Sequence, residues 1–482
     1  MNAYAPYAPP TRRWWTLAVL SLAQLMVALD ATVINIAMPE AQRDLGFDAA
    51  SRQWPVTAYT LAFGSLLLLG GRLSDLLGRR TMLIVGLVGF ASASVFAGAA
   101  TNFTMLVAAR FVQGAFGAVL APAVLAALTT TFFEPKERAK AFAVYGALGA
   151  SGAAIGLLLG GALTQWASWR WSLYVNVIFA GVALIGVVVL IAPGRAPERP
   201  RLDVLGTLLV SGALFFVVYG LSHVLDTSWD VQVTVVNLVA GVLLLVAFFF
   251  WQRYSSHPLV APRLFTRTRV GSLVALLFTS FGLLAFMLFF AYYMESGLGY
   301  SPLRTGVYFL PMVGAIVFSA SIASARLLAK VGPRPMVPTG MLLAMLAMIL
   351  FTRLPVHADY LVHGLPGLIV MGLGLGLIFA PAIASATAGV EARDAGVASA
   401  LVNTTQQVGA SMGVALLNTI AVAVTARVMV NPGGPANLAQ GATLHGYSVA
   451  LWWAAGFFGV GALLSFILLE SGPPDDDVIV AI

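Results

Sequence analysis

WWTLAVLSLAQLMVALDATVINIAMPE, residues 14–40, is an apolar run with one carboxylate, Asp30, inside it. A helix needs about 20 apolar residues to cross the hydrocarbon core of a bilayer, and this run is long enough. An ionisable side chain at that depth is costly, and where one is kept it usually marks function. Arg12 and Arg13 precede the run as they would in a signal peptide. The run is too long for a signal-peptide core and lacks a small-residue cleavage site, so it is expected to stay as the first span.

The rest of the chain repeats the theme. Of its 482 residues, 60% are hydrophobic and 9% charged, where a soluble domain has about a quarter charged; mean hydropathy is +0.91. This is the composition of an all-α polytopic membrane protein. There is no cysteine, which excludes disulfides, thiolate metal sites and thiol nucleophiles. The net charge of +7 is ascribed to loops on the cytoplasmic side, not to a nucleic-acid partner.

Apolar periodicity predicts fourteen spans, at 14–38, 53–72, 81–100, 103–126, 139–163, 171–193, 203–222, 231–252, 270–294, 303–326, 335–354, 361–386, 397–425 and 447–469. Nineteen Lys and Arg then fall on the side of the N-terminus and six on the other, with Arg110 left inside a span. That bias predicts a multi-pass protein of the cytoplasmic membrane with both termini cytoplasmic. The longest polar breaks, 194–202 and 253–269, bracket two helices. The expected plan is an N-terminal six-helix half (1–195), two additional linker helices (196–253), a C-terminal six-helix half (254–470) and a disordered tail (471–482). Two such halves with a site between them near the midplane is a transporter plan.

Between spans two and three the chain reads GGRLSDLLGRR, residues 70–80. Its glycines allow a tight turn and close backbone approach. Asp75 with Arg72, Arg79 and Arg80 can bridge helix ends as a cytoplasmic gate, or serve only as a solvated basic loop. In the fifth predicted span Gly149, Gly152, Gly156 and Gly160 recur three or four apart, a small-residue face suited to helix packing in lipid. GLGLG at 372–376 lacks the strand–turn–helix setting of a nucleotide loop and reads as packing. No Walker-type phosphate loop occurs in the chain, so ATP-driven transport is not expected.

These stretches carry a resemblance. Gly71-x-Leu73-x-Asp75-x-x-Gly78-Arg79-Arg80 resembles the loop signature of the major facilitator superfamily. LDATVINIAMP (29–39) and AARFVQGAFGAVLAPA (108–123) are similar to the first- and fourth-helix motifs of its fourteen-span drug:proton antiporter family. GYSPLRTGVYFLP (299–311) and GVASALVNTTQQVGASMGVA (396–415) resemble that family's C-terminal half. The resemblance spans almost the whole chain. It implies the major facilitator fold, two six-helix halves plus two extra central helices. It also implies proton coupling at Arg110 and an antiporter motif in the fifth span. One departure stands out: Leu157 follows Gly156 where the motif usually has proline, which weakens the expected kink.

Asp30 is the natural proton site, able to take a proton from outside, release it inward, and attract a cationic substrate when ionised. Its alternative is a structural acid bonded to a neighbouring helix. Arg110 and Gln113 lie three apart on one helix side; snorkelling to the interface is the alternative for Arg110. Trp54, Tyr59, Phe286, Phe289, Tyr293 and Glu295 are candidate cavity linings, since aromatic faces attract organic cations. The expected function is proton-coupled export of lipophilic, often cationic drugs by a monomer in the bilayer. It would have no cofactor and no metal, and the proton gradient would be the energy source. A dedicated exporter of one metabolite, antibiotic or lipid is the alternative, and a nutrient importer a further one. An enzyme is not expected: His223, His257, His357, His363 and His445 form no catalytic or ligand spacing.

Overall fold

A computed structural model of the chain describes residues 10–47, 51, 54–132, 134–192, 203–223, 231–255, 258–260, 262–323, 327–355, 359–391, 394–429 and 436–472. The predicted tail beyond residue 472, the whole 194–202 break with its Arg195, Arg199 and Arg201, and Arg52, His257, Arg326, His357 and Arg393 lie outside the described residues.

Every predicted span falls on a helix. In order they are α1 (Pro10–Leu45), α2 (Trp54–Leu77), α3 (Arg79–Gly98), α4 (Phe103–Thr131), α5 (Pro135–Trp166), α6 (Trp171–Leu190), α7 (Val204–His223), α8 (Val231–Tyr254), α9 (Arg267–Tyr292) and α10 (Pro302–Ile322). A single turn, α11 (Leu328–Val331), precedes α12 (Pro333–Phe351), α13 (Leu365–Ala386), α14 (Ala395–Met429) and α15 (Ala436–Leu468). Among the described residues, thirteen helices are long and apolar enough to cross a membrane. The remaining predicted span, 139–163, lies within α5, a continuous helix of 32 residues; some of its side chains, Leu157 included, lie outside the described set.

Two boundaries differ from the sequence expectation for a local reason. The segment read as 270–294 stops being α-helical at Tyr292 and continues as a wide π turn, Tyr293–Gly297. The segment read from 361 opens with a similar turn, Tyr360–Gly364, before α13 begins. Apolar periodicity does not register one extra residue in a turn, whereas the hydrogen-bond pattern does. Several helices outrun their predicted spans: α1 continues to Leu45 and α14 to Met429.

α1–α6 pack on one another, as do α9, α10 and α12–α15. The two groups meet along two seams: α5 against α10 and α13, and α14 against α2 and α4. The hairpin α7–α8 lies on the second seam, where α7 touches both α2 and α14. There Leu68, Val210, Leu214, Phe248, Val397 and Ala400 form a core of their own. Glycine allows the seams to close. A Cβ at Gly71 would come within 2.5 Å of the Gly396 carbonyl oxygen, and one at Gly306 within 2.8 Å of Leu158. Below, "basic end" means the end bearing the α2–α3 turn, and "far end" the opposite one.

Candidate functional site

The polar centre of the first six helices is built around Asp30. Its carboxylate is 1% exposed, and Arg110 and Gln113 are fully buried. Arg110 Nη1 donates to Asp30 Oδ2 at 2.6 Å and to Gln113 Oε1 at 2.7 Å. Gln113 Nε2 donates to Asp30 Oδ1 at 2.8 Å and lies 2.7 Å from Ser94 Oγ. Asn176 Nδ2 donates to Asp30 Oδ1 at 2.7 Å. Arg110 Nε reaches the Pro55 carbonyl at 3.3 Å, and its guanidinium carbon lies 4.4 Å from the centre of the Tyr59 ring. Five helices thus converge on one ion pair: α1, α2, α3, α4 and α6.

Chain position explains the convergence. α1 runs from the basic end, so Asp30 lies just past its middle, in the far half. α4 and α6 start at the far end, and Arg110 and Asn176 lie seven and five residues into them. At about 1.5 Å per residue all three reach one layer. Desolvating two charges costs several kcal/mol each, and only close geometry with further hydrogen bonds offsets that. The offset is incomplete: Arg110 Nη2, Asn176 Oδ1 and Tyr59 Oη are buried without a hydrogen-bond partner among the described residues. A buried network with spare donors and acceptors is able to rearrange.

At the basic end, Gly78 takes φ 90° between α2 and α3, a conformation that favours glycine. This turn carries Asp75 to the start of α14, where its carboxylate accepts the backbone N–H groups of Gly396 at 2.9 Å and Val397 at 3.2 Å. A carboxylate on a helix N-terminus satisfies donors the helix cannot and meets the positive end of its dipole. Arg79 donates to Thr130 and Arg80 to the Val188 carbonyl, so these two arginines bind within the first six helices while Asp75 crosses the seam. A second crossing bond comes from Arg138, which donates to the Thr387 carbonyl at the end of α13 at 2.7 Å. From the C-terminal side Arg269 donates to the Ala386, Ala388 and Leu264 carbonyls, and Arg263 pairs with Asp394 at 2.6 Å. Hydrogen bonding to Asp394 holds the Arg263 guanidinium above its usual value.

The other candidates are dispersed. Gly152, Gly156 and Gly160 of α5 pack against α1, where a Cβ would collide with Ala28, Thr32 and Val33 respectively. Gly149 faces open space. Trp54 packs by Tyr219 of α7, with centroids 6.5 Å apart. Phe286 packs on Phe351 at 4.6 Å and Phe289 on Tyr447 at 4.9 Å, while Tyr293 Oη donates to the Pro355 carbonyl. These three line a small cleft between α9, α12 and α15 within the C-terminal helices. Glu295 is half-buried in the π turn. Among the described residues no cluster of His, Asp or Glu is able to hold a metal ion.

Sequence reasoning missed Asn176 and Ser94, although Asn176 is the lone amide in the apolar run WSLYVNVIFAGV. It also missed Arg138, Arg263, Arg269 and Asp394, which no spacing connects to one another.

A bundle of long apolar helices around a buried ion pair, with latches crossing the seam at one end, is the anatomy of a secondary transporter. The chain belongs to the Major Facilitator Superfamily, whose sequence profile matches residues 20–414. That membership makes it a multi-pass membrane transporter and not an enzyme. It is 46% identical to the puromycin resistance protein of Streptomyces alboniger over 475 residues, 98% of this chain and 94% of that one. It is 36% identical to the cephamycin export protein of Amycolatopsis lactamdurans over 428 residues, 88% and 87% of the two chains. Among solved structures, the human organic anion transporter MFSD10 superposes with a TM-score of 0.61 at 17% identity, over 96% of this chain and all of that one. The last likeness is one of fold.

Proposed function

We propose that this transporter exports lipophilic antibiotics in exchange for protons, with Asp30 as the proton site. The observation that carries the reading is the Asp30–Arg110 pair, 2.6 Å long and fully enclosed in spanning helices. Retained charge at that depth is explained by a switch better than by stability, because an apolar pair would hold the helices as well. Protonation neutralises the carboxylate and ends its claim on Arg110. The guanidinium keeps Gln113 and the Tyr59 face, and its spare Nη2 takes another acceptor. α1, α4 and α6 then no longer share one charge-assisted node, which lets the far-end layer repack. A cationic substrate would compete with Arg110 for the same carboxylate, making proton and drug alternatives. Antibiotics as the substrate class are supported by relatives named for puromycin resistance and cephamycin export.

On this reading 1–195 and 254–470 move as the two halves and 196–253 as the linker pair, while Asp75 and Arg138 close the basic end. That end is taken as cytoplasmic from the charge bias. The experiment is puromycin and ethidium efflux from proteoliposomes under an imposed pH gradient, comparing wild type with Asp30→Asn. Gradient-driven efflux by wild type and none by the variant is the expected result. Unchanged pumping by Asp30→Asn would remove Asp30 from coupling.

A further inference from the structure

The last helix of each half ends in the same grip. α6 stops at Leu190 and α15 at Leu468, and the final carbonyls of a helix have no partner within it. In α6 the Val188 carbonyl accepts from Arg80 Nη2 at 2.9 Å and the Val189 carbonyl from Arg12 Nη2 at 3.1 Å. In α15 the Phe466 carbonyl accepts from Arg334 Nε at 3.1 Å and the Ile467 carbonyl from Arg267 Nη2 at 2.7 Å. Both pairs of carbonyls stand at the same distance from their helix end. The arginines come from the first turns of the first and third helices of each half, α1 and α3, then α9 and α12. A charge bias between the two sides of the membrane puts arginines at such ends, but it does not by itself turn two of them onto one helix terminus, twice.

The two grips differ in what is left over. At α15, Arg334 also donates Nη1 to Ser471 and lies over the Phe466 ring at 4.7 Å. The Glu470 carboxylate, held by Thr268 next to Arg267, supplies negative charge there. At α6 the nearest acid on α5, Glu137, is taken by Arg13, and no acid pairs with Arg12 or Arg80 among the described residues. A helix C-terminus is equivalent to about half a negative charge, so two guanidinium groups leave an excess of about one and a half positive charges. Each guanidinium has five N–H donors and spends one on α6; Arg80 Nε is buried without a partner among the described residues. From this pair an apolar row runs inward along one face of α6, Val189, Ile185, Val182 and Ile178, all exposed. It spans eleven residues, or about 16 Å, which is the hydrocarbon depth of one leaflet, half of about 30 Å.

We propose that Arg12 and Arg80, at the end of α6, bind the phosphate of an anionic phospholipid whose acyl chain lies along Val189, Ile185, Val182 and Ile178. The two guanidinium forks suit a phosphodiester, which accepts from both at once. The excess positive charge selects a lipid with net negative charge over a zwitterion. The Glu470 carboxylate makes the α15 grip the weaker of the two for the same lipid. The proposal is independent of proton coupling and of the exported molecule; it rests on the helices spanning a bilayer. It adds a ligand that holds the helix carrying Asn176, one of the partners of Asp30, by its opposite end.

The test counts lipids. Delipidated full-length protein in detergent is titrated with dioleoyl phosphatidylglycerol or dioleoyl phosphatidylcholine, and bound lipid is counted by native mass spectrometry. Wild type should retain its first phosphatidylglycerol at concentrations where it retains no phosphatidylcholine. Arg12→Gln/Arg80→Gln should weaken that first binding roughly thirty-fold, the effect of two basic contacts. Arg267→Gln/Arg334→Gln should weaken it less than about three-fold. A thermal melt verifies folding. Arg12 is exposed in the first turn of α1, so Arg12→Gln alone serves if the double variant melts early, with a loss of roughly five-fold. Equal retention of the two lipids by wild type overturns the proposal, as does unchanged phosphatidylglycerol affinity in folded Arg12→Gln. Loss of the first lipid from the α15 variant instead of the α6 variant overturns the assignment to α6. Displacement of phosphatidylglycerol by millimolar inorganic phosphate would mark a site for free anions and overturn the lipid as its occupant.

Discussion

Replacing Arg110 by methionine removes one partner of a pair that water does not reach. Arg110 and Asp30 are 0% and 1% exposed at the side chain and 2.6 Å apart. Taking away one member of such a pair typically costs about 3–5 kcal/mol, because the other is left as an uncompensated buried charge. Asp30 would keep the Gln113 and Asn176 amides, which places Arg110→Met toward the lower figure, about 3 kcal/mol. Asp30→Asn strands Arg110 in turn and should cost a similar amount. The double variant Asp30→Asn/Arg110→Met contains no charge to strand, and replacing a buried pair by neutral groups is often close to neutral in stability. The cycle should therefore close with a coupling of about 6 kcal/mol, the sum of the two single costs. The assay is unfolding in detergent at constant pH, with pH-gradient-driven efflux measured in parallel. The double variant should be as stable as wild type and inactive. Additivity of the two single changes to within about 0.5 kcal/mol would mean the pair is not the electrostatic unit its geometry indicates, and the switch would lose its basis.

Other changes report on other parts of the molecule. Asp75→Ala removes the acceptor on the start of α14 and should weaken basic-end closure by about 1–2 kcal/mol. The chain has no cysteine, so maleimide labelling of Phe379→Cys, beside the α5 seam, should rise about 5- to 30-fold. Gly156→Ala places a methyl against Thr32 and within 3.2 Å of the Leu29 carbonyl oxygen. Overpacking of about 1–3 kcal/mol should lower both melting temperature and efflux. At the far end Asp44 accepts from Arg170 and from Trp169 Nε1. These bonds, that of Arg170 first, hold the Asp44 carboxyl below its usual 3.8. A lowered carboxyl contributes stability present above pH 3.8 and lost as pH falls through the lowered value. The contribution is under about 1 kcal/mol at this exposed pair, and an acid titration of Asp44→Asn should lack it.

The helices were legible because the signal for a span is summed over twenty residues, so no single side chain decides it. The ends were less so: α1 runs to Leu45 and α9 ends in a π turn, and such choices belong to one or two hydrogen bonds. Asp30, Arg110 and Gln113 were legible for the opposite reason, each being a rare polar side chain in a long apolar run. Asn176 had the same signal and was passed over because an amide carries no charge. Asp75 was legible as a gate candidate, but its partners were not, since it meets Gly396 across more than 300 positions and bonds backbone N–H groups that every residue has. The aromatic residues of α9 show the limit of composition. Periodicity identifies a buried face, but only the neighbouring helices determine that Phe286 and Phe289 pack on α12 and α15.

The connection between α13 and α14 is gripped from the other half at both of its helix ends, by a cation on a carbonyl and an anion on two amides. What these bonds satisfy are the groups that a helix terminus at a membrane surface can equally turn to water. Parting the halves there exchanges one set of partners for another and leaves nothing stranded. The Asp30 node has no such exchange available at its depth. The molecule thus has one closure whose opening is nearly balanced and one whose rearrangement must be triggered. A ligand that favours either arrangement by about 5.5 kcal/mol moves the population from one to almost wholly the other. Its weak closure can therefore follow the strong one without a driving force of its own.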